Sequence, residues 1–282
     1  MHRFTLHEQL IHGATFSPIA RIPQWNHLSD MTALLATRHL PQATPGNRLL
    51  LALPDESQER LWPKLEPVEL TRRELIYVTG AQIEHVYFID QGLVSLMKTM
   101  SDGRVVEVGA VGTEGVVCLG GALGLRTAIL ESVVQVPGVA RRITIGAFGE
   151  ATERDKALRG LMRRYTEVAL SQLSQSAACN RLHSLEERFC RWLLTAHDNA
   201  GTDSFRMTHE FLALMLGVQR PGLSITAHAL QEQGLIHYHN GEMSVRNRQG
   251  LEATSCECYR SIRRQVDLLL GPVDGGPASN AA

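Results

Sequence analysis

The chain has 282 residues, enough for two ordinary domains and a tail, and its 44% hydrophobic and 20% charged residues are globular proportions that exclude a fibrous or low-complexity protein. A net charge of −1 and a pI near 6.9 exclude a globally basic nucleic-acid coat, so any DNA-binding charge has to be local. Five scattered cysteines, Cys118, Cys179, Cys190, Cys256 and Cys258, with no secretory leader and no apolar run long enough to cross a bilayer, predict a soluble protein of the reducing cytoplasm with no membrane partner.

Residues 1–45 mix polarities, carry scattered prolines and hold no sustained period, which predicts a poorly ordered extension. Met31 lies inside it as an alternative translation start, an expectation that an N-terminal peptide beginning at Met1 in the native host would overturn. Leu49 to Leu65 hold a short amphipathic helix, capped by Asp55 and carrying Leu61 and Trp62 on one side.

From Val68 to Arg142 the period becomes two, in Leu75-Ile-Tyr-Val, Val86-Tyr-Phe-Ile, Gly92-Leu-Val-Ser-Leu-Met, Val105-Val-Glu-Val, Val116-Val-Cys-Leu and Ser132-Val-Val-Gln-Val. Gly80, Asp90-Gln-Gly92, Asp102-Gly103, Gly112 and Pro137-Gly138 interrupt these runs, so short strands in a roll or jelly-roll are expected over 46–148. A helical period returns from Glu150 to Asn180, with Leu158, Leu161, Met162, Tyr165, Val168, Ala169 and Leu173 on one stripe; a single long helix over 149–180 would suit a two-helix seam. His183 to His197 follow as a second amphipathic helix burying Leu185, Phe189, Trp192 and Leu193.

Thr208 to Leu235 carry the strongest pattern. Thr208 is placed to cap a helix through Phe211, Leu212, Met215 and Leu216, with Glu210 in the first turn, where the macrodipole favours an acid. Gly217 can take the positive φ of a sharp turn, and small Ala213 leaves room for a crossing helix. That second helix begins near Gln219 or Arg220, with Pro221 in its first turn, Leu223, Ala227 and Leu230 inward, and Arg220, Gly222, Ser224 and His228 outward. This is a helix-turn-helix. Gln219 and Arg220 stand where a recognition helix meets base edges, Arg220 can bond guanine O6 and N7 together, Gly222 allows close backbone approach, and Thr208 and Ser224 are candidates for phosphate contacts.

Gly234 to Tyr238 and Glu242 to Arg246 flank Asn240-Gly241, a dipeptide suited to a two-residue hairpin, which adds a wing; Asp203 to Met207 are expected to pair with it. Leu251 to Leu270 read as one closing helix through Tyr259, Ile262 and Val266. The winged domain thus spans 181–270, and residues 271–282 form a frayed tail.

Val86-Tyr-Phe-Ile-Asp-Gln-Gly-Leu-Val-Ser, Asp102-Gly-Arg-Val-Val-Glu-Val-Gly, Gly112-Thr-Glu-Gly, Leu216-Gly-Val-Gln-Arg-Pro-Gly and Leu230-Gln-Glu-Gln-Gly-Leu-Ile occur in an order that resembles the Crp/Fnr superfamily over roughly residues 50 to 265. The resemblance implies an α+β chain with a cyclic-nucleotide-binding-like β-roll, a homodimerisation helix and a winged helix-turn-helix. It implies double-stranded DNA, a second copy of the chain and RNA polymerase as partners, a small-molecule effector of unknown identity, and half-sites one turn apart, the docking geometry of that family's catabolite activator.

By the same resemblance an effector pocket would involve Glu114, Leu119, Gly120, Arg126, Leu130 and Glu131. Cyclic-nucleotide binders of the family place an Arg-Ser pair where this chain has Leu130 and Glu131, and a carboxylate there repels a phosphate, so cyclic AMP is not the expected ligand. Arg126 could supply charge from a nearby loop.

No cofactor and no metal are expected. There is no cysteine before Cys118 to join an N-terminal iron–sulfur set, and Cys256-Glu-Cys258, read as part of a helix, would point its thiols to different faces. Cys118, Cys179 and Cys190 read as small buried residues, and His237 and His239 as exposed wing residues on one strand face. No glycine-rich phosphate loop, nucleophile elbow or persuasive carboxylate pair suggests an enzyme. The competing reading is a ligand-binding module whose near-neutral C-terminal domain binds a protein instead of DNA.

Overall fold

The computed structural model describes residues 46–270; the expectations for 1–45, for Met31 and for 271–282 fall outside them. The described chain is α+β, with a β-roll first and helices with a small sheet after it.

Strands β1 (Glu66–Leu70), β2 (Leu75–Tyr77), β3 (His85–Thr99), β4 (Val105–Val111), β5 (Val116–Val117) and β6 (Glu131–Thr144) form one antiparallel sheet. Its spine is β3 against β6, in register from His85↔Thr144 to Met97↔Glu131. Here the structure corrects the sequence reading: Asp90-Gln-Gly92 and Pro137-Gly138 do not separate short strands. They are facing irregularities inside two long ones, with register shifts around Gln91 and Leu93. Gly92 has a φ of 102° and a Cβ there would run into the carbonyl of Val136, while one on Gly138 would run into that of Gln91. The glycines let two backbones approach at a bend without ending the ladder.

The roll is filled from two sides. Leu70, Ile89, Val94, Val111, Val117, Val134 and Ala140 make one cluster. Val86, Phe88, Val116 and Ile143 make the other with Phe148, Leu158, Leu161, Met162 and Tyr165 from the helices that follow.

The segment expected to hold a short helix contains α1 (Arg48–Leu51) and α2 (Asp55–Leu61), then a 3-10 turn at Trp62–Lys64. Pro54, not Asp55, occupies the cap of α2, and Asp55 is its first residue. A short α3 (Leu119–Ala122) precedes β6. The expected single long helix is two, α4 (Ile145–Arg154) and α5 (Lys156–Leu182). Asp155 takes an extended φ/ψ between them, and its carboxylate accepts from the N–H groups of Ala157 and Leu158, so a capping aspartate restarts the helix where the stripe looked continuous.

Only the first half of the α5 stripe is core: Leu158 to Tyr165 are buried on the roll, whereas Val168, Ala169 and Leu173 are half-buried and Leu170 is 60% exposed.

Helix α6 (Leu185–Ala200) starts from a reciprocal capping box between Ser184 and Glu187 and buries Phe189, Trp192 and Leu193. After β7 (Ser204–Arg206) come α7 (His209–Leu216), α8 (Arg220–Glu232), β8 (Ile236–His239) and β9 (Glu242–Val245), with sheet order β7-β9-β8. The closing helix is again two, α9 (Arg248–Thr254) and α10 (Cys258–Leu270), parted by an extended Ser255.

Candidate nucleic-acid interface

Thr208 caps α7 as its spacing implied: its hydroxyl accepts from the Phe211 N–H at 3.3 Å. Gly217 ends the helix at φ 65°, and the Val218 N–H reaches back to the Ala213 carbonyl at 2.9 Å, a left-handed glycine stop. Gln219 is the N-cap of α8, Arg220 its first residue and Pro221 follows in the first turn, where a missing N–H costs no helical bond. Leu223, Ala227 and Leu230 are buried at 0%, 3% and 0% exposure, which locks α8 across α7.

What remains of α8 faces solvent. Gln219, Arg220, Pro221, Gly222, Ile225 and His228 are exposed. Arg220 lies 2.9 Å from the Glu210 carboxylate in an ion pair whose side chains are both more than half exposed, so the pair is worth at most about 1 kcal/mol and can be exchanged for another acceptor. His228 makes a similar exposed contact with Glu232 at 3.3 Å.

Ser224 departs from the sequence reading. It is half-buried and turned toward α7, with its Oγ 3.0 Å from His209 Nδ1. The His209 ring in turn stacks on Tyr238 at 4.1 Å, joining both helices of the motif to the wing. Burial pushes the His209 pKa down, with Arg220 acting the same way and Glu210 against them.

The wing is a two-residue hairpin. Asn240 and Gly241 have φ of 49° and 77°, the positive pair a primed turn needs, and β7 adds to the outer side of β9 as expected. His237 and His239 share an exposed strand face with rings 6.4 Å apart. Charge here is balanced, since residues 181–270 contain ten arginines and ten acidic side chains.

Helix α7 is held from the far side by the roll. Gln135 Nε2 donates to Met215 Sδ at 3.2 Å, Arg73 lies over the Phe211 ring at 5.7 Å, and Arg188 from α6 donates to the Leu216 carbonyl at 3.0 Å. Beside this seam the buried Glu107 accepts from Ser95 and, at 3.2 Å, from Trp192 Nε1; burial raises its pKa, which these donors and the charge of Arg191 oppose.

The six candidate effector residues have partners in different parts of the roll. Glu114 accepts from the Gly112 N–H at 2.9 Å, with its pKa raised by burial. Leu119 packs on the Phe88–Phe148 core, and Glu131 accepts from Thr99 at 2.7 Å across the β3–β6 ladder. Gly120 lies in α3, where a side chain would press on Leu125; Arg126 is exposed, and Leu130 half-buried. None of the six lines either of two clefts on the described surface, one at the roll–wing seam near Arg72, Pro137 and Phe205, the other beside His209, Ser224 and Tyr238.

One cluster was missed by the spacing argument. Because α9 stops before Cys256, the pair Cys256 and Cys258 does not lie on one helix, and both thiols meet Cys179 and His183. The signal available was Cys179-x-x-x-His183, two ligand types one turn apart on a helix.

Residues 187–254 match the model of the Crp-like helix-turn-helix domain. FixK2 from Bradyrhizobium japonicum superposes with a TM-score of 0.57 at 20% identity, covering 68% of this chain and 98% of that one. A regulator of the Crp/Fnr family from Eubacterium rectale gives 0.54 at 15% identity, over 73% and 96%. A CRP-family transcriptional regulator from Thermus thermophilus gives 0.54 at 20%, over 67% and 96%. No curated protein sequence matches the chain significantly. The chain has the fold of these regulators and a Crp-like helix-turn-helix domain over residues 187–254.

Proposed function

We propose that this chain is a homodimeric, sequence-specific regulator of transcription that reads a two-fold DNA operator with α8. The observation that carries the reading is the empty outer face at the start of α8, where Gln219 and Arg220 stand exposed beside Gly222 on a helix whose other side is fully committed to packing. Arg220 exchanges Glu210 for a guanine edge, Gln219 contacts the neighbouring base, and Pro221 and Gly222 keep the helix start low against the duplex. Thr208 uses its lone pair on Phe211 and keeps its hydroxyl proton for a phosphate; His228 reaches the backbone, and Ser224 acts through His209.

The second copy docks through the later half of α5, where Val168, Ala169 and Leu173 are half-buried and Leu170 is exposed. Leu170→Glu is expected to raise the dimer dissociation constant at least tenfold, about 1.4 kcal/mol, by analytical ultracentrifugation; an unchanged constant moves the seam elsewhere. The effector is a small molecule other than cyclic AMP: by the resemblance Leu130 stands where a cyclic-nucleotide binder has its arginine, and Glu131, which accepts from Thr99, puts a carboxylate beside it. RNA polymerase in the cytoplasm is the partner on the promoter.

The test is competition binding of the wild type and of Arg220→Ala against duplexes changed one base pair at a time, over a salt series. Loss of affinity together with relaxed preference at one position supports the reading. The balanced charge of residues 181–270 favours a second one, docking of a protein on the same face, and a partner interaction insensitive to salt would support it.

A further inference from the structure

Cys179 lies one turn before the end of α5, and His183 caps that helix. Cys256 sits in the break after α9, and Cys258 is the first residue of α10. Their four ligand atoms all lie within 4.8 Å of one another, in a pocket where the three cysteines are between 0% and 3% exposed. Cys179 Sγ is 3.6 Å from Cys256 Sγ, and Cys258 Sγ is 3.6 Å from His183 Nδ1. A tetrahedral zinc ion with bonds of about 2.3 Å to sulfur and about 2.0 Å to nitrogen sets sulfur–sulfur edges near 3.8 Å and sulfur–nitrogen edges near 3.6 Å, so the longest separation has to close by no more than about 1 Å.

The surroundings are those of a metal site. Glu257 Oε2 lies 3.1 Å from His183 Nε2, which fixes the proton on that nitrogen and leaves the Nδ1 lone pair facing the thiols. Gln175 Nε2 donates to Cys258 Sγ at 3.0 Å. A zinc ion with three thiolates carries one net negative charge, and Arg191 and Arg188 supply the compensating field at Cys179. A disulfide between Cys179 and Cys256 would require the sulfurs to close to about 2.05 Å and would leave Cys258, His183 and Glu257 without a reason to converge.

We propose that Cys179, His183, Cys256 and Cys258 bind one zinc ion per chain in a closed, structural Cys3His site. The ion joins the end of α5 to the break before α10, with Cys256 77 residues after Cys179, and so fastens both sides of the segment that carries the helix-turn-helix and wing to the helix that precedes it. The proposal stands independently of which bases α8 reads.

The test uses the full chain without a metal-binding tag, purified without chelators. Elemental analysis is expected to find one zinc per chain, retained in Cys118→Ser and lost in Cys256→Ser and His183→Ala. Because a buried substitution can itself disturb folding, Co2+ titration of the wild-type chain after zinc removal provides a second readout: a saturable one-to-one rise of thiolate-to-cobalt charge-transfer and tetrahedral d–d bands is expected, and zinc should abolish it. No stoichiometric metal together with no cobalt bands overturns the proposal. Iron in place of zinc overturns the assignment of the ion, and a Cys179–Cys256 disulfide trapped by alkylation directly from cells, without metal, makes the cluster a redox pair instead.

Discussion

Helices α7 and α8 belong to one motif and meet opposite fates. In α7, Phe211, Leu212, Ala213, Met215 and Leu216 are all buried, because the roll packs on one side and α8 crosses on the other. In the longer α8 only Leu223, Ala227 and Leu230 are buried, and Ile225 is left 73% exposed. A helix committed on two sides can only support. One committed along a single stripe has a face free for a partner, and the exposed arginine and glutamine at its start say which chemistry that face offers.

The contrast can be broken first at its most buried point. Leu223→Ala is expected to cost about 2–5 kcal/mol in urea unfolding, through lost burial and the cavity left behind, whereas Ile225→Ala on the same helix should stay within about 0.5 kcal/mol. Equal effects would mean that α8 is not anchored as described. Arg220→Ala should leave stability unchanged and remove about 1–3 kcal/mol of discrimination at one base pair.

Smaller changes sharpen the same picture. Glu210→Ala frees Arg220 from its ion pair and removes a negative charge beside the duplex, so affinity for a bound site should rise a few-fold, by about 1 kcal/mol or less, most visibly at low salt. The smallest effect is one of pH. Burial lowers the folded pKa of His209 below its ordinary 6.5, so near pH 6 the unfolded chain binds more protons than the folded one. The contribution is complete above about 6.5 and falls away as pH drops below that value. Urea melts at pH 7.5 and 5.5 should therefore show a smaller pH loss in His209→Gln than in the wild type, and equal losses would remove His209 from the hinge between helices and wing.

Much of this was legible because it depends on local chemistry. A threonine before an apolar helix, a glycine at the turn, a proline in the first turn of the next helix and Asn240-Gly241 between two short strands each set the backbone within a few residues. What was not legible depends on partners far along the chain. Gly92 and Gly138 looked like strand ends, but each is small because the other strand's backbone passes over it. Asp155 and Ser255 each divide what a hydrophobic period joined, since a stripe reports which face is buried and not whether the backbone is continuous. The second of these breaks is what lets Cys256 and Cys258 point together, whereas one continuous helix would turn them to different faces. The candidate effector residues were carried over by resemblance from a strand register, and their partners lie in different parts of the roll.

The most direct measurement is selection of bound duplexes from a random pool by the wild-type chain and by Arg220→Ala, with and without cyclic AMP. An enriched two-fold motif with half-sites about one helical turn apart, indifferent to the nucleotide and degenerate at one position per half-site in the variant, is the expected result. A variant that enriches the same motif with the same information at every position would contradict the assignment of α8 as the reader.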